Sequence, residues 1–284
     1  MASRLVECVP NFSEGRDPLI LESLAESIRQ TAGVRLLDHS SDADHHRSVF
    51  TFVGDAEAVL EAALASARVA AERIDLRRHG GVHPRIGAMD VVPFVPLGGS
   101  SMEECADLAH AFGQKLWERL RIPVFFYERA ATEPERRALE NVRSRAAAGA
   151  RPDVGEGRHA TAGACAVGAR DFLIAWNIWL ETHDLALAKQ IARAIRFSSG
   201  GFAGVKALGL PLESMGMVQV SINTTDFRAT PLHVVFERVA ALAGQAKVRV
   251  KGSELIGMIP LEAISGHDLA WMNLSPGRVL DVSN

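Results

Sequence analysis

The chain has 284 residues, of which 48% are hydrophobic and 23% are charged, and its formal net charge is −3. These proportions are those of a folded globular protein with one large domain or two of ordinary size. The small net charge gives no strong basic field, so neither nucleic acid nor an anionic membrane surface is expected as a partner. No apolar run in the sequence reaches the length needed to span a membrane.

The cysteines are odd in number and far apart, at Cys8, Cys105 and Cys165. This spacing fits neither a disulfide framework nor a clustered metal site. Glu7 stands where a signal peptide would need its apolar core. We therefore expect a reducing compartment and a cytoplasmic location.

The first third of the chain alternates between predicted strands and helices. Asp17 followed by Pro18 indicates a helix start, and Gly33 indicates where that helix ends. Asp55 begins a second, alanine-rich helix. The predicted strands lie at residues 5–9, 34–38, 49–53 and 91–96. The order βαββαβ is that of ferredoxin-like folds.

Further elements follow before the second half. Ser101 and Glu104 form a predicted capping box, and the helix behind them runs to about Leu120. A strand is predicted at residues 123–127, and a helix begins near 132–135 and fades near 149. Residues 151–163 then form a polar, glycine-rich loop. Loops of this length are often functional.

The second half repeats the order of the first. A helix is predicted after Thr182 and another from Thr230 and Pro231. The predicted strands lie at residues 172–179, 205–208, 217–222 and 248–250. The chain therefore looks like a duplication of βαββαβ in topology, and the predicted fold class is α+β.

A loop rich in glycine and histidine occupies residues 78–90. Pro84 biases His83 toward extended backbone, and the glycines let the chain turn and approach another surface closely. Imidazole titrates near neutral pH, so a stiffly placed His83 suits proton transfer. A surface loop without function is the alternative. His79 and His83 have the spacing of a zinc pair only on a helix, which the glycines and Pro84 disfavour.

Seven segments together carry a resemblance to a known family. They are residues 6–15, 46–49, 51–54, 83–90, 111–114, 172–178 and 252–260. With these motifs the chain resembles the formiminotransferase domain of formiminotransferase-cyclodeaminase and the stand-alone glutamate formimidoyltransferases. The segments extend over nearly the whole chain, and the first and fourth are long and specific.

The resemblance implies two ferredoxin-like subdomains, residues 1–169 and 170–284, with helices on the outside of their sheets and a folate tunnel between them. It implies transfer of a formimino group between N-formimino-L-glutamate and tetrahydrofolate, in histidine degradation and one-carbon metabolism. Tetrahydrofolate is then a co-substrate, no metal is expected, and a homodimer is one assembly to consider. The segment after Val250 is expected to be too short for an additional deaminase domain.

The resemblance also assigns site residues. The catalytic histidine of the family falls on His83. Independently of the resemblance, the chemistry of the transfer leads us to expect that Arg47 or Arg85 binds a substrate carboxylate and that Asn177 hydrogen-bonds the pterin or the amidine. The alternatives are a surface ion pair for each arginine and a contact with backbone groups at a strand edge for Asn177. The folate-binding loop falls on Gly155, Glu156, Gly157, Arg158, His159, Ala160, Thr161, Ala162 and Gly163. The further substrate-binding candidates are Asn11, Asp38, Asp42 and Asp44.

One position departs from the family pattern. An aspartate thought to orient the catalytic histidine is replaced here by Ser40. We expect one of Asp38, Asp42 and Asp44 to lie within hydrogen-bonding distance of His83 instead, because a neighbouring carboxylate would fix the tautomer and stabilise the imidazolium.

Two other functions stay open at this point. The first is a metal-dependent hydrolase of formimino- or formyl-amides, because carboxylates and imidazoles suit divalent ions. Its ligands would be Asp42, Asp44, His45, His46 and His79. The second is a folate-binding protein without catalysis. The sequence does not distinguish a formimino from a formyl donor.

Overall fold

The computed structural model describes residues 4–80, 84–264 and 278–280, and the chain divides into two compact units, Met1–Arg170 and Asp171–Asn284. The elements of the first unit are β1 (Arg4–Cys8), β2 (Asn11–Phe12), α1 (Pro18–Arg29), β3 (Val34–Asp42), β4 (Arg47–Gly54), α2 (Ala56–Arg73), β5 (Met89–Gly98), α3 (Met102–Leu120), β6 (Val124–Glu128), α4 (Leu139–Ala147) and β7 (Cys165–Ala169).

These strands form one sheet in the order β3-β4-β1-β5-β7-β6, and the short β2 continues the line of β1 between β4 and β5. The strands from β3 to β5 pair antiparallel, with β1 between β4 and β5. This is the order of a ferredoxin-like sheet, so the predicted βαββαβ arrangement is confirmed. β3 runs on to Asp42, beyond the predicted strand at residues 34–38, because its polar residues stay paired with β4.

Local sequence explains where the helices of this unit begin. The Asp17 side chain accepts from the backbone N–H groups of Leu19 and Ile20, with Pro18 in the first turn. The predicted capping box of α3 is present, because Ser101 Oγ accepts from Glu104 N and Glu104 Oε2 accepts from Ser101 N. The Asp17 cap and the capping box of α3 both satisfy N–H groups that a helix leaves unpaired at its start.

One face of the sheet packs against α1, α2 and α3. The largest side chains of this core are those of Phe12, Phe50, Phe52, Phe94 and Phe112, all buried. Burying one such side chain stabilises the fold by about 1.5–3 kcal/mol. Half of the buried residues of α2 are alanines, whose small side chains let the helix pack closely against α1 and α3.

The end of the first unit adds structure beyond the predicted repeat. β7 pairs parallel with β5 on one side and with β6 on the other. Sequence patterning missed β7, since its five residues CAVGA contain one β-branched side chain and follow a glycine-rich loop. The predicted helix before that loop is a single 3₁₀ turn followed by α4. Val142 of α4 packs with Val91 and Phe125 on the sheet face opposite the other helices.

The second unit is also ferredoxin-like. Its elements are β8 (Ile174–Leu180), α5 (Leu185–Ile195), β9 (Val205–Leu212), β10 (Met217–Thr224), α6 (Leu232–Gln245), β11 (Val250–Ile256), β12 (Ile259–Pro260) and β13 (Val279–Leu280). The antiparallel sheet has the order β11-β8-β10-β9, and β12 pairs parallel with β13. The predicted repetition of βαββαβ is confirmed.

Several boundaries in the second unit differ from the prediction; β9, for example, was predicted over residues 205–208 and runs to Leu212. α5 is capped by Asp184 rather than by Thr182, whose hydroxyl instead accepts from Asp184 N. The last strand of the sheet extends to Ile256, because its residues stay paired with β8 beyond the short apolar run that predicted it. Within the described ranges, no helix has the length and apolar character needed to cross a bilayer.

Candidate active site

The predicted catalytic histidine, His83, lies outside the described residues. The chain is described up to Gly80 and again from Pro84. The residues at both ends of this segment are held by specific contacts, and those contacts define the site. All of them belong to the first unit.

His46 connects the turn between β3 and β4 to the upstream end of the segment. Its Nδ1 donates to the carbonyl oxygen of Gly80 at 3.0 Å, and its Nε2 donates to Glu14 Oε1 at 3.0 Å. The same carboxylate oxygen accepts from the backbone N–H groups of Gly15, Arg16 and Asp17. Although burial acts the other way, these hydrogen bonds hold the pKa of Glu14 below its ordinary value. An ionised Glu14 thus fixes both His46 and Gly80.

His79 stacks on His46, with ring centroids 3.8 Å apart and an interplanar angle of 16°. Arg85 Nη1 lies 2.7 and 2.8 Å from the two ring nitrogens of His79. Burial first, and then the charges of Arg85 and His46, lower the pKa of His79 to about 4. His79 is therefore neutral at neutral pH. Arg85 also donates to the backbone carbonyls of His45 and His46 and so joins the downstream end of the segment to the same turn.

Asp90, at the start of β5, is the buried anion of the site. Its Oδ2 accepts from Arg47 Nη1 at 2.7 Å and from Arg143 Nη2 at 2.8 Å. Its Oδ1 accepts from the backbone N–H of Ile86 at 2.6 Å. Despite complete burial, the two guanidinium groups hold the pKa of Asp90 well below its ordinary value. One carboxylate therefore anchors β4, α4 and the exit of the histidine loop.

Arg47 and Asn11 were predicted to bind substrate, and the structure brings them together. Asn11 Oδ1 accepts from Arg47 Nε at 3.2 Å and from Nη2 at 2.9 Å, while Asn11 Nδ2 donates to the carbonyl of Val9. Since Nη1 binds Asp90, all three guanidinium nitrogens of Arg47 have internal partners. These contacts orient Arg47 firmly within the protein.

The three predicted carboxylates lie along β3 and its turn. Asp38 is opposite Thr51 in the register of β3 and β4. Asp42 accepts from His45 twice, from the backbone N–H at 2.8 Å and from Nδ1 at 2.6 Å. Although burial acts the other way, these bonds lower the pKa of Asp42. Asp44 is half-buried in the turn itself. Because His83 lies outside the described residues, the expected carboxylate partner of that histidine stays a prediction.

The predicted folate loop divides into two parts with different surroundings. Its second part is bonded to the exit of the histidine loop. The backbone N–H of Ala88 donates to Ala162 O, and that of Ala164 donates to Ile86 O, both at 2.9 Å. His159 Nδ1 accepts from Ala162 N, which closes a tight turn over Ala160 and Thr161. The fold thus joins two loops through residues that are 74 and 78 positions apart in the sequence.

The first part of the same loop lines a cavity of about 640 Å³ together with Trp117 and Phe125. Gly155 has φ +80°, and a side-chain carbon there would lie 2.4 Å from the Trp117 ring, so only glycine fits. The loop residues in the lining are Gly155, Glu156, Gly157 and Arg158.

Asn177 is the one predicted site residue in the second unit. It lies on β8 opposite Glu254 of β11, and its Nδ2 donates to Glu254 Oε1 at 2.9 Å. Its amide therefore has a partner within the sheet. Among the described ranges 4–80, 84–264 and 278–280, no three His, Cys, Asp or Glu side chains are grouped closely enough to hold a metal ion.

Sequence reasoning missed four residues of this region, Glu7, Glu14, Asp90 and Arg143. A signal existed for Glu7 and Asp90, because each is a carboxylate inside or next to an otherwise apolar strand. Buried acids are rare unless paired or functional. No such signal existed for Arg143, which is one of two arginines on the short helix α4.

Two family models match the chain. The formiminotransferase domain, N-terminal subdomain, matches residues 5–170, and the formiminotransferase domain matches residues 175–272. The chain belongs to the formiminotransferase domain family. Six of the seven motifs quoted from the sequence fall within the matched ranges, and the motif at residues 172–178 begins three residues before the second range. Both loops of the candidate site lie in the N-terminal subdomain.

The relatives of this formiminotransferase chain include stand-alone and bifunctional proteins. It is 42% identical over 272 residues to glutamate formimidoyltransferase of Streptococcus pyogenes, covering 92% of this chain and 91% of that protein. It is 42% identical to glutamate formimidoyltransferase of Thermoplasma acidophilum, covering 92% and 89%. It is 44% identical to formimidoyltransferase-cyclodeaminase of Gallus gallus, covering 92% of this chain and 51% of that protein. The formiminotransferase chain thus spans about half of the bifunctional relative.

Proposed function

We propose that this protein is a glutamate formimidoyltransferase, which transfers a formimino group between N-formimino-L-glutamate and tetrahydrofolate. The observation that carries the proposal is the 42% identity to proteins of that name over 92% of the chain. The site geometry supports it, because a glycine-rich loop and a histidine loop are hydrogen-bonded to each other beside a cluster of arginines. Tetrahydrofolate is then a co-substrate in histidine degradation and one-carbon metabolism.

The reaction exchanges one amine for another at an amidine carbon. A nitrogen of tetrahydrofolate attacks the formimino carbon and forms a tetrahedral intermediate. The attacking nitrogen must lose a proton, and the glutamate nitrogen must gain one before its bond to carbon breaks. One base with a pKa near neutral can perform both transfers in turn, which accelerates such reactions by typically 10²–10⁴-fold. We assign this role to His83.

The surrounding contacts give the other residues their proposed roles. Glu14, His46 and Arg85 hold the two ends of the segment that carries His83. The folate loop, residues 155–163, binds the co-substrate, and Asn11 and Asn177 are each proposed to contact substrate. A carboxylate at Asp38, Asp42 or Asp44 orients the histidine. The N-terminal subdomain comprises residues 1–169 and the C-terminal subdomain residues 170–284.

The proposal includes the cell compartment and the cofactor set. Cys8, Cys105 and Cys165 are free thiols in the fold interior, which fits a reducing, cytoplasmic environment. The acid–base chemistry assigned to His83 proceeds without a resident metal ion.

The test is a transfer assay with purified protein, N-formimino-L-glutamate and tetrahydrofolate, in which free glutamate and formimino-tetrahydrofolate are measured. We expect both products in equal amounts, and the same rate after treatment with a chelator. N-formyl-L-glutamate as the donor distinguishes formimino from formyl transfer. Hydrolysis without folate that stops on chelation would favour the metal-dependent hydrolase, and folate binding without turnover of either donor would contradict a catalytic role.

A further inference from the structure

Arg143 projects from α4 to the buried carboxylate of Asp90, and its side chain is 17% exposed. Its Nη2 donates to Asp90 Oδ2 at 2.8 Å. Its Nε is enclosed without any acceptor, and no described residue accepts from Nη1. An arginine carries five N–H donors, and buried donors are rarely left without partners. Most of the hydrogen-bonding capacity of Arg143 is therefore unused.

Arg47 provides the contrast. It binds the same Oδ2 atom of Asp90, but its remaining nitrogens donate to Asn11. Every guanidinium nitrogen of Arg47 thus donates to the protein, whereas among the described residues only Nη2 of Arg143 has an acceptor. A ligand that needs a strong bidentate donor would find it on Arg143.

The charge of the region favours an anion. Arg143 acts on the pKa of both Arg47 and Arg85, and Arg47 acts on that of Arg85, so the three guanidinium groups lie close together. The Asp90 carboxylate binds Arg47 and Arg143 and acts on the pKa of Arg85. Three cations against one anion leave an excess of positive charge in partly buried surroundings, where Coulomb interactions are stronger than in water. Burial first, and then the charges of neighbouring guanidinium groups, lower the pKa of Arg47 and Arg85, so repulsion between the cations is one part of the shift. A bound carboxylate would relieve it.

We propose that Arg143 binds a carboxylate of a glutamyl group during the transfer reaction, an inference that rests on the proposed function and specifies its substrate contact. Guanidinium and carboxylate match in bidentate geometry, and such charge-assisted pairs are the strong hydrogen bonds of binding sites. Asp90 holds both Arg143 and the backbone of Ile86, so the bound carboxylate lies beside the exit of the loop that carries His83. The glutamyl group belongs either to the formimino donor or to the folate tail.

The experiment measures equilibrium binding of N-formyl-L-glutamate, an analogue of the donor, by calorimetry and without tetrahydrofolate, so that no acceptor for transfer is present. The variants are Arg143→Ala and Arg143→Lys, which keeps the charge near Asp90 but loses the bidentate donor. The matched control is Arg145→Ala, which removes a half-exposed cation of the same helix that pairs with Glu133. Pteroate and folate are titrated alongside, since pteroate lacks the glutamate tail.

If the carboxylate comes from the donor, both Arg143 variants weaken probe binding by about 10- to 100-fold, the range for a charge-assisted hydrogen bond, and leave folate binding unchanged. If it comes from folate, the variants weaken folate binding by a similar factor and leave pteroate unaffected. Arg145→Ala changes neither. Unchanged binding of probe and folate by Arg143→Lys and Arg143→Ala would overturn the inference even in an active transferase. A wild-type protein that binds the probe through Arg143 but transfers no formimino group would instead overturn the proposed function.

Discussion

Glu7 is a carboxyl group in the middle of β1, between the core residues Val6 and Cys8. Because side chains alternate along a strand, Glu7 faces away from the helices that cover Val6 and Cys8. Burial raises its pKa to about 7, while Arg170 acts in the opposite direction. A carboxyl that titrates near neutral pH in the folded state makes stability depend on pH.

We predict that Glu7→Gln removes a pH-dependent loss of stability. The folded state binds the proton more tightly than the unfolded state, whose ordinary pKa is 4.5. As the pH rises from about 4.5 to about 7, the free energy of unfolding of the wild type should therefore decrease by up to about 3 kcal/mol. Urea unfolding at pH 5 and pH 8 measures this. The variant should gain stability relative to wild type at pH 8 but not at pH 5.

The control for that comparison is Glu118→Gln on α3, where the side chain is exposed. It should leave the difference between the two pH values unchanged. An equal offset between wild type and Glu7→Gln at both pH values would show that Glu7 does not titrate in this window.

We predict that His83→Ala lowers the rate of formimino transfer by roughly 10²–10⁴-fold and changes the folate dissociation constant by less than about tenfold. Proton transfer acts on the transition state, whereas folate binding draws on many other contacts. Single-turnover kinetics and folate titration give the two quantities. His183→Ala, at an exposed histidine, serves as the control. If His83→Ala kept the wild-type rate of formimino transfer, His83 would not be the catalytic acid and base.

At the scale of elements, the segment from β6 to β7 builds the site onto the ferredoxin-like sheet. It supplies α4, with Arg143, and the glycine-rich loop that pairs with the exit of the histidine loop. Gly87 and Gly163 form the bridge between the two loops. Gly163 has φ +71°, and a side-chain carbon there would lie 2.3 Å from the carbonyl oxygen of Ile86.

We predict that Gly163→Ala destabilises the protein more than Gly157→Ala, by roughly 1–3 kcal/mol. Both glycines have positive φ, at +71° and +65°, so each substitution carries a conformational cost of about 1–2 kcal/mol. Gly157 has no heavy atom within 4 Å of the added carbon, whereas Gly163 would meet backbone. Urea unfolding of the two variants measures the difference. An equal decrease in the free energy of unfolding of the two variants would mean that the contact of Gly163 with the histidine loop does not contribute to stability.

Element prediction succeeded where the signal is local. The cap at Asp17, the box of Ser101 and Glu104 and the alternating strands of both repeats all depend on residues near one another in the sequence. β7 was missed because it becomes a strand by lying between β5 and β6. Each of these two strands pairs parallel with β7. A short run of small residues becomes a strand only when such neighbours offer hydrogen bonds on both sides.

At the scale of the whole molecule, the chain contains two ferredoxin-like units of different content. The second has the sheet order β11-β8-β10-β9 with two helices, while the first carries the same order extended by two parallel strands. Both loops of the candidate site belong to the first unit. The repeated topology therefore does not imply repeated chemistry, since the residues of the histidine loop have no counterpart in the second unit's sequence.

The sequence by itself determined the order of elements, the ferredoxin-like class, the family and the loops that carry the candidate site. These follow from period, capping residues and contiguous motifs, all of which act over short distances along the chain. Only the tertiary structure decided which groups meet. Asp90 pairs with Arg47, 43 positions before it, and with Arg143, 53 positions after it. Glu14 accepts a hydrogen bond from His46, 32 positions after it. Partners of a buried charge are chosen by the cost of leaving it unpaired, and that choice requires the folded neighbourhood.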